Sequence, residues 1–449
     1  MRKKKIIGAV MLAGVSCAVF ATDARVETMG KTDRFFKDET SIHRNAADLG
    51  LYDKIMYGSY GFVDYDAARQ QANNEGTWIP KLPMFGGAVS LGQKEGSLSK
   101  FAMGATFNRI DSTLNYIMFN VDELGLRYKH EDLKSQGNGL YSNSEAGTAV
   151  AFAGNTLDNV LGYSVIDNAI SLVGKIDLMF AQTLSNGTTI GLGGYIAFQD
   201  SSESGNINDK FRNRFVRGNV GVNTPIGDGV TLEASLGLSA LDLRGKILRP
   251  GSGPQWYDAA QNDLGMHIDV RLFADIANIN AAFVPHIQAN VMQYDRAREH
   301  LLDFNAGLGL NVNIDRGFFW TGLEGLYNKK SRALIETDKD GYNIYGKKDL
   351  IGGKVAFGIE RNVITDWFVI RVGGAKLLAK ESYGEGKKGA KWVENDDRDH
   401  VSLGMGINVE DRLKIDFTVV NNLPYTFTGL FSDGNNAYVM SRVSAVFAF

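Results

Sequence analysis

Apolar and polar residues alternate along most of the chain. From Val230 to Ser239 every second residue is apolar, and Thr, Glu, Ser and Gly stand between them. The same alternation recurs in 279–293, 299–314 and 398–409. A period of two is that of a β-strand with one apolar side. The runs span about 10–15 residues, roughly twice the length of an ordinary strand in a soluble protein.

The alternating runs divide the chain into sixteen candidate strands joined by connections of two kinds. Short connections such as Ser185-Asn186-Gly187 carry turn residues and alternate with long ones such as 110–168, with 294–298 as the exception. Short turns on one rim and long loops on the other are typical of a transmembrane barrel. The candidate strands are 52–65, 82–93, 99–109, 169–184, 188–199, 211–223, 229–243, 262–274, 279–293, 299–314, 317–328, 348–361, 366–380, 398–409, 413–421 and 437–449.

The predicted fold is all-β, a transmembrane antiparallel up-and-down β-barrel of about sixteen strands with short periplasmic turns and long extracellular loops. Fourteen strands is the alternative count, and a large soluble β protein would also show alternation. An even count places both chain ends on the short-turn rim. Aromatic residues collect near this rim and predict an interfacial girdle. They are Phe318, Phe319, Trp320, Trp367, Phe368, Phe447 and Phe449.

The N-terminus has the pattern of an export signal. Arg2, Lys3, Lys4 and Lys5 precede an apolar run from Ile6 to Ala18, and small residues follow near Ala21. We expect residues 1–21 to be a cleaved signal peptide, residues 22–50 a periplasmic or hatch segment, and residues 51–449 the barrel. Cys17, the single cysteine, lies in this leader, and a lipoprotein is the alternative. The predicted location is the outer membrane of a Gram-negative-type bacterium.

Net charge argues against one class of binding partner, and the glycine and proline content supports the predicted sheet. The chain has 48 Lys and Arg against 51 Asp and Glu, and removal of the four basic residues of the leader leaves 44 against 51, a net charge of −7. A nucleic-acid partner is therefore not expected. The 52 glycines and 7 prolines fit an uninterrupted sheet, and Gly307, Gly309, Gly404 and Gly406 fall on its predicted inner face.

Two short stretches resemble known families. The alternating run from Tyr438 to a terminal Phe449 resembles the last strand of bacterial outer-membrane barrels, which implies that Phe449 is part of an insertion signal read by the barrel-assembly machinery. The stretch Asp38–Leu49 is similar to the segment ending in Asn-Pro-Ala-Gly-Leu before the first strand of FadL-like fatty-acid channels and PorV-type barrels. Asn45 and Ala47 match, whereas Ala46 replaces Pro and Asp48 replaces Gly. This resemblance implies a hatch inside the barrel, with a loose periplasmic tail as the alternative.

Strand parity predicts which side chains line the lumen. If the apolar face of each strand meets lipid, seven basic residues, six acidic residues and one His point inward, so the wall is charged and nearly balanced. Such a wall fits either a wet channel or a network of ion pairs, and 110–168 is long enough to fold inward. The predicted pore-lining residues are Lys175, Asp177, Arg217, Glu233, His267, Asp269, Arg271, Asp303, Lys354, Glu360, Arg371, Lys414, Asp416 and Arg442.

The sequence does not favour an enzyme. The sequence has no Gly-x-Ser-x-Gly elbow and no His-Glu-x-x-His site. His267 and Asp269 share one strand face and would suit a base with an orienting carboxylate, but no nucleophile is identifiable near them. No catalytic residue, metal site or cofactor is predicted.

The predicted function is a passive, porin-like channel for small molecules, which the family resemblance extends to hydrophobic solutes. Outer-membrane lipids and a small-molecule solute are the expected partners. The alternative is a non-conducting barrel with a structural, adhesive or secretion-partner role. The sequence leaves the oligomeric state, the solute and the openness of the lumen undetermined.

Overall fold

The structure is a computed structural model. It describes residues 23–52, 54–61, 83–91, 99–109, 174–202, 210–249, 253–276, 279–294, 299–337, 343–363, 366–383, 388–393, 399–410, 412–420 and 442–449. The leader and the whole 110–168 connection lie outside the described residues. No helix in the described ranges is long and apolar enough to span a membrane.

Seventeen strands form one antiparallel sheet. They are β1 Ile55–Gly61, β2 Met84–Leu91, β3 Lys100–Phe107, β4 Gly174–Thr183, β5 Thr189–Ser202, β6 Lys210–Gly227, β7 Val230–Arg249, β8 Gly253–Ile276, β9 Ala281–Tyr294, β10 Glu299–Ile314, β11 Gly317–Thr337, β12 Asn343–Asn362, β13 Phe368–Tyr383, β14 Lys388–Trp392, β15 His400–Val409, β16 Leu413–Val420 and β17 Arg442–Ala448. In the described part of the chain before the sheet, the helical segments are an α-helix Asp23–Thr28 and two 3-10 helices, Glu39–His43 and Ala46–Leu51.

The sheet closes into a barrel. Consecutive strands pair in antiparallel register, and β1 pairs with both β2 and β17, from Ile55 opposite Ala448 to Gly61 opposite Arg442. β14 pairs with the far end of β13, while β15 pairs with its near end, from Phe368 opposite Ile407 to Ala375 opposite His400. The barrel therefore has sixteen strand positions and one extra short strand. This confirms the predicted fold class and the count of sixteen.

Alternation places one apolar face outside. Leu236, Leu238, Leu308, Leu323 and Ile351 are all exposed large apolar residues of the strands. Their inward neighbours are polar, small or buried, as in β15, where every second residue from His400 to Gly406 is buried. An apolar band on the outside of a closed barrel is the surface that meets lipid.

The predicted aromatic girdle is only partly correct. Trp367 and Phe449 are about half exposed on the outer surface near the short-turn rim. Trp320 is instead completely buried inside the barrel, and Phe318 packs beside it. The reason is that β11 carries apolar residues on both faces, so that aromatic composition alone does not reveal the direction of a side chain.

Residues 23–52, which we call the N-terminal segment, lie against the inner face of the barrel. Its buried residues Met29, Phe35 and Phe36 form a cluster with Trp320 and Val284 of the wall. On the opposite side, Ile42 and Leu49 belong to a second cluster with β1, β2, β3 and β4. The segment is thus held by apolar packing at two places on the wall.

The contacts of the N-terminal segment lie near the short turns. The 3-10 helix Ala46–Leu51 packs on β3 to β6, and the α-helix Asp23–Thr28 packs on β13, β15, β16 and β17. The wall residues in these contacts are close along the chain to the short connections, for example Gly191 after Asn186 and Gly309 before Asp315. The N-terminal segment therefore occupies the lumen at the short-turn end.

Candidate functional site

The contact between the N-terminal segment and the wall is the candidate functional site. Glycines of the wall provide the room for it. A Cβ on Gly191 would overlap the backbone of Ala46 and Ala47, and one on Gly221 would overlap Asn45. Only a residue without a side chain allows backbone to approach this closely.

Gly373 and Gly404 do the same for the α-helix Asp23–Thr28. A Cβ on Gly373 would lie 2.5 Å from the backbone nitrogen of Gly30, and one on Gly404 would lie 2.6 Å from Cγ2 of Thr28. Gly404 was predicted to face the lumen, and its inward position explains its lack of a side chain. The wall is therefore shaped to the backbone of this segment.

Phe35 is held between two further glycines. Its ring lies where Cβ atoms on Gly309 and Gly322 would stand. The ring stacks on Trp320 with centroids 5.4 Å apart and meets His286 edge-on at 5.0 Å. A buried aromatic ring in such a slot contributes several kilocalories per mole, about 3–5 kcal/mol when truncated to Ala.

Side-chain caps shape the second half of the N-terminal segment. Asp38 accepts a hydrogen bond from the backbone N–H of Thr40 at 3.0 Å, and Asn45 accepts one from Ala47 at 3.1 Å. These are the N-cap positions of the two 3-10 helices. Asn45 also donates to the carbonyl oxygen of Val222 at 3.1 Å, so the same side chain starts a helix and fixes it to β6.

Arg25 is the centre of the first group of ion pairs. Its Nη1 lies 3.1 Å from Asp38 and its Nε lies 2.7 Å from Glu360 on β12. The guanidinium also lies 5.2 Å from the ring centroid of Phe36 and 5.1 Å from that of Phe318. Glu360 is shared with Arg371, which in turn pairs with Asp416 at 2.7 Å.

Arg271 is the centre of the second group. It pairs with Glu233 of the neighbouring strand and, through Nη2, with Asp48 of the N-terminal segment at 3.1 Å. It also donates to the carbonyl oxygens of Asp33 at 2.9 Å and Phe36 at 3.3 Å. A single wall arginine thus holds three parts of the segment.

Glu324 is the centre of the third group. Its carboxylate lies 2.7 Å from Arg34 of the N-terminal segment, 3.1 Å from Nε2 of His286 and 3.4 Å from Nζ of Lys354. All three groups join the N-terminal segment to the inner wall. Breaking a buried ion pair has a high free-energy cost, because it leaves a buried charge without its partner.

The structure gives each predicted pore-lining residue a position inside the wall of the barrel. Eleven of the fourteen are buried, and His267, Lys354 and Arg442 are partly buried. Contacts with the N-terminal segment involve Glu233, Asp269, Arg271, Glu360 and Arg442.

Other predicted residues pair within the wall or with its rim. Asp177 holds Arg109 through two short contacts of 2.6 and 2.8 Å. Asp303 accepts hydrogen bonds from Asn290 and Asn305, both at 3.4 Å. The buried residues Lys175, Arg217 and Lys414 lie on the same inner face.

The constellation considered for an enzyme is arranged differently. Nδ1 of His267 contacts the side-chain oxygen of Asn290, and Asp269 pairs with Nε of Arg44 at 3.5 Å. Among the described residues there is no group of three or more His, Cys, Asp or Glu able to hold a metal ion.

The comparisons with known proteins found similarity only at the level of solved structures. The toluene transporter TodX of Pseudomonas putida is 11% identical over 95% of this chain and 97% of its own, with a TM-score of 0.36. The toluene transporter TbuX of Ralstonia pickettii is 10% identical over 96% of this chain and 97% of its own, with a TM-score of 0.37. CdiB from Escherichia coli is 7% identical over 88% of this chain and 63% of its own, also with a TM-score of 0.37.

No family model and no curated protein matches the chain. At these identities and TM-scores the structural matches carry no argument about solute or mechanism. The closed sheet and its apolar outer face decide the fold. This chain is a closed β-barrel with the apolar outer face of a membrane-spanning protein. The stretch that resembles FadL-like and PorV-type barrels, including Asn45 and Ala47, is the part that lies inside it.

Burial changes the acidity of the N-terminal segment. Enclosure raises the pKa of Asp48 to about 6, and the neighbouring Glu233 raises it further while Arg271 opposes the shift. Burial likewise raises the pKa of Asp38 to about 6, against the pull of Arg25. The pKa of Asp33 is lowered, since burial is outweighed by Arg44 and Arg271.

Sequence reasoning missed the partners of the wall charges. Arg25, Arg34, Arg44 and Asp48 lie in a stretch without alternation, so parity could not assign them a direction. Glu324 was missed because β11 is apolar on both faces. The available signal was the glycine pattern: inward glycines next to inward charges mark places where another segment approaches the wall.

Proposed function

We propose that this protein is an outer-membrane transport channel for small molecules, closed at the short-turn end by the N-terminal segment. The observation that carries the proposal is the fit of this segment to glycines 191, 221, 373 and 404 of the inner wall. A barrel of sixteen strands is wide enough to enclose an aqueous channel. The N-terminal segment, an insert of thirty residues inside the barrel, is the element that would control such a channel.

Transport is proposed to be passive, with movement or rearrangement of the N-terminal segment opening the path. The inner wall supports solutes of mixed character. Charged residues such as Lys175 and Asp177 lie on one side, and an apolar cluster of Leu326, Leu350 and Leu377 lies on another. The apolar cluster favours hydrophobic solutes, the class that the FadL-like resemblance also implies.

The proposed location is the outer membrane, reached after cleavage of a signal peptide over residues 1–21. Outer-membrane lipids would then cover the exposed apolar band. The barrel-assembly machinery is the proposed partner of β17 and Phe449. Phe449 completes the sheet, since its backbone N–H donates to the carbonyl oxygen of Lys54 at 3.0 Å.

A non-conducting barrel with a structural, adhesive or secretion-partner role is the second candidate. The observation that favours it is the number of buried ion pairs between the N-terminal segment and the wall, centred on Arg25, Arg271 and Glu324. Contacts of this kind suit a permanent filling as well as a gate. Conductance separates the two candidates.

The test compares two glycine variants of one strand in planar bilayers. Gly191→Val inserts a side chain under the backbone of Ala46 and Ala47, so the N-terminal segment must leave its position. Gly194→Val is the matched control, because its Cβ points to open space outside the barrel. We expect rare stepwise openings for the natural chain and for Gly194→Val, and openings at least tenfold more frequent for Gly191→Val.

Heat-modifiable migration on gels shows that each variant retains its barrel. Protease access to the N-terminal segment shows whether Gly191→Val has displaced it. A folded Gly191→Val barrel with an accessible segment and no conductance would overturn the channel and support the non-conducting candidate.

A further inference from the structure

Asp48 and Glu233 form a pair of carboxylates that shares its partners. Both contact the guanidinium of Arg271, and Nδ2 of Asn223 donates to both, at 3.1 Å to Asp48 and 3.2 Å to Glu233. The side chains of Asp48 and Glu233 are 0% and 1% exposed. Two buried carboxylates on one guanidinium are more easily accommodated when one of them carries a proton.

The two carboxylates do not have equal compensation. Glu233 pairs with Arg271 and also with Lys37, whose Nζ lies 3.3 Å away, whereas Asp48 pairs with the shared Arg271. The nearby Arg44 pairs with two other carboxylates, Asp33 and Asp269, and Arg34 pairs with Glu324. The hydroxyl groups of Ser41 and Tyr52 also face Asp48. Neutral hydroxyl groups supply no positive charge, so Asp48 depends on a cation that Glu233 also uses.

We propose that docking of the N-terminal segment takes up a proton at Asp48, so that acid pH holds the segment in the barrel and neutral pH loosens it. Control of conductance by this proton rests on the proposed function. The docking reaction itself does not, since it concerns only the position of the segment.

The direction follows from the two states of Asp48. In water its carboxyl has an ordinary pKa of 3.8, and in the docked segment burial and Glu233 raise the pKa to about 6. Between these values the docked state binds more protons than the undocked state, so docking weakens as the pH rises. The two values give about a tenfold weaker docking equilibrium at pH 7 than at pH 5.

Other titratable groups act on the same segment. Asp38 is buried and has a raised pKa, so it adds to the effect in the same direction. Asp33 has a lowered pKa and stays ionised between pH 5 and 7. His286 contacts Glu324 on the far side of the segment. The pH dependence of docking therefore has several contributions, and that of Asp48 is measured with variants of Asp48 and its neighbours.

The experiment measures access of a maleimide to a buried cysteine in the full-length barrel in detergent. With Cys17→Ser as background, Thr28→Cys reports undocking, because Thr28 is completely buried against the wall. Asp228→Cys in an exposed turn reports the chemistry of the reagent at each pH. The ratio of the two labelling rates cancels the titration of the thiol.

We expect this ratio to rise at least tenfold from pH 5 to pH 7. Asp48→Asn should reduce that rise by about tenfold, because it removes the group that takes up the proton. Glu233→Gln should also reduce the rise in the ratio, since Asp48 would then be the one carboxylate of the pair that binds Arg271. Asp33→Asn is the matched control: it should raise the ratio at both pH values and leave the rise unchanged.

A ratio that stays constant from pH 5 to pH 7 would overturn the proposal, as would an unchanged rise in folded Asp48→Asn and Glu233→Gln barrels. Heat-modifiable migration identifies the folded variants. Failure of the channel proposal is seen separately as absence of conductance, which leaves the labelling ratio readable.

Discussion

Arg25 shows how one residue joins the N-terminal segment to the barrel. Its guanidinium is 2% exposed and lies between Asp38 of the segment and Glu360 of β12. The same group lies near the rings of Phe36 and Phe318. Glu360 also pairs with Arg371. Removal of Arg25 therefore leaves Glu360 with a cation but takes from Asp38 the arginine that pairs with it.

Arg25→Ala should therefore release the N-terminal segment. Breaking a buried ion pair by removing one partner costs about 3–5 kcal/mol, since a charge stays buried without compensation. We expect the labelling ratio of Thr28→Cys at pH 7 to rise by two orders of magnitude or more. Lys31→Ala is the control, because Lys31 belongs to the same segment and is exposed. Equal ratios for the two variants would contradict the central position of Arg25.

At the residue scale, strand alternation predicted which side chains point into the barrel but not which residues they pair with. Glu233 and Arg271 were placed on the inner face because their strands alternate strictly. Their partner Asp48 could not be found, since the N-terminal segment follows no period. Ion pairs between a strand and an irregular segment depend on tertiary position, which local pattern does not contain.

At the element scale, the sixteen predicted strands all appear in the structure because each strand meets lipid on one side and the lumen on the other. That difference in solvent enforces the alternation. The bounds differ most for β8, which begins at Gly253 and not at 262. β14 was missed because Lys388–Trp392 is short and has no alternation.

The outer face of a strand should be sensitive to charge in proportion to depth. Leu236 is 47% exposed in the middle of the apolar band of β7, and Ile226 is 57% exposed beside a short turn. Leu236→Arg should destabilise the barrel by about 2–4 kcal/mol, and Ile226→Arg by about 0–1 kcal/mol. Urea unfolding in lipid vesicles measures both. Equal costs would show that the band of β7 does not lie in the membrane.

At the scale of the whole molecule, the N-terminal segment connects strands that are far apart in the sheet. It reaches β17 through Ala24, β12 through Arg25, β8 through Asp48 and β6 through Asn45. A closed barrel with such an insert should resist local unfolding more than either part alone. The sequence indicated a hatch only through a family resemblance, because the fit is formed by the folded wall.

Phe449 follows β17, the strand that closes the sheet against β1. The ring of Phe449 is 55% exposed and stacks on Phe447 with centroids 6.4 Å apart. Since more than half of this residue is exposed, Phe449→Ser should change the stability of the folded barrel by about 1 kcal/mol or less.

If Phe449 is the insertion signal, Phe449→Ser should nevertheless reduce the assembled fraction in cells severalfold. Phe101→Ser is the matched control, because Phe101 is an outward aromatic residue, 38% exposed, away from the C-terminus. Heat-modifiable migration of membrane fractions measures assembly, and urea unfolding of purified protein measures stability. The prediction requires the two variants to be similar in stability and different in assembly. If the two variants assembled to the same extent, Phe449 would not be an insertion signal, and its role would be limited to the backbone hydrogen bond with Lys54.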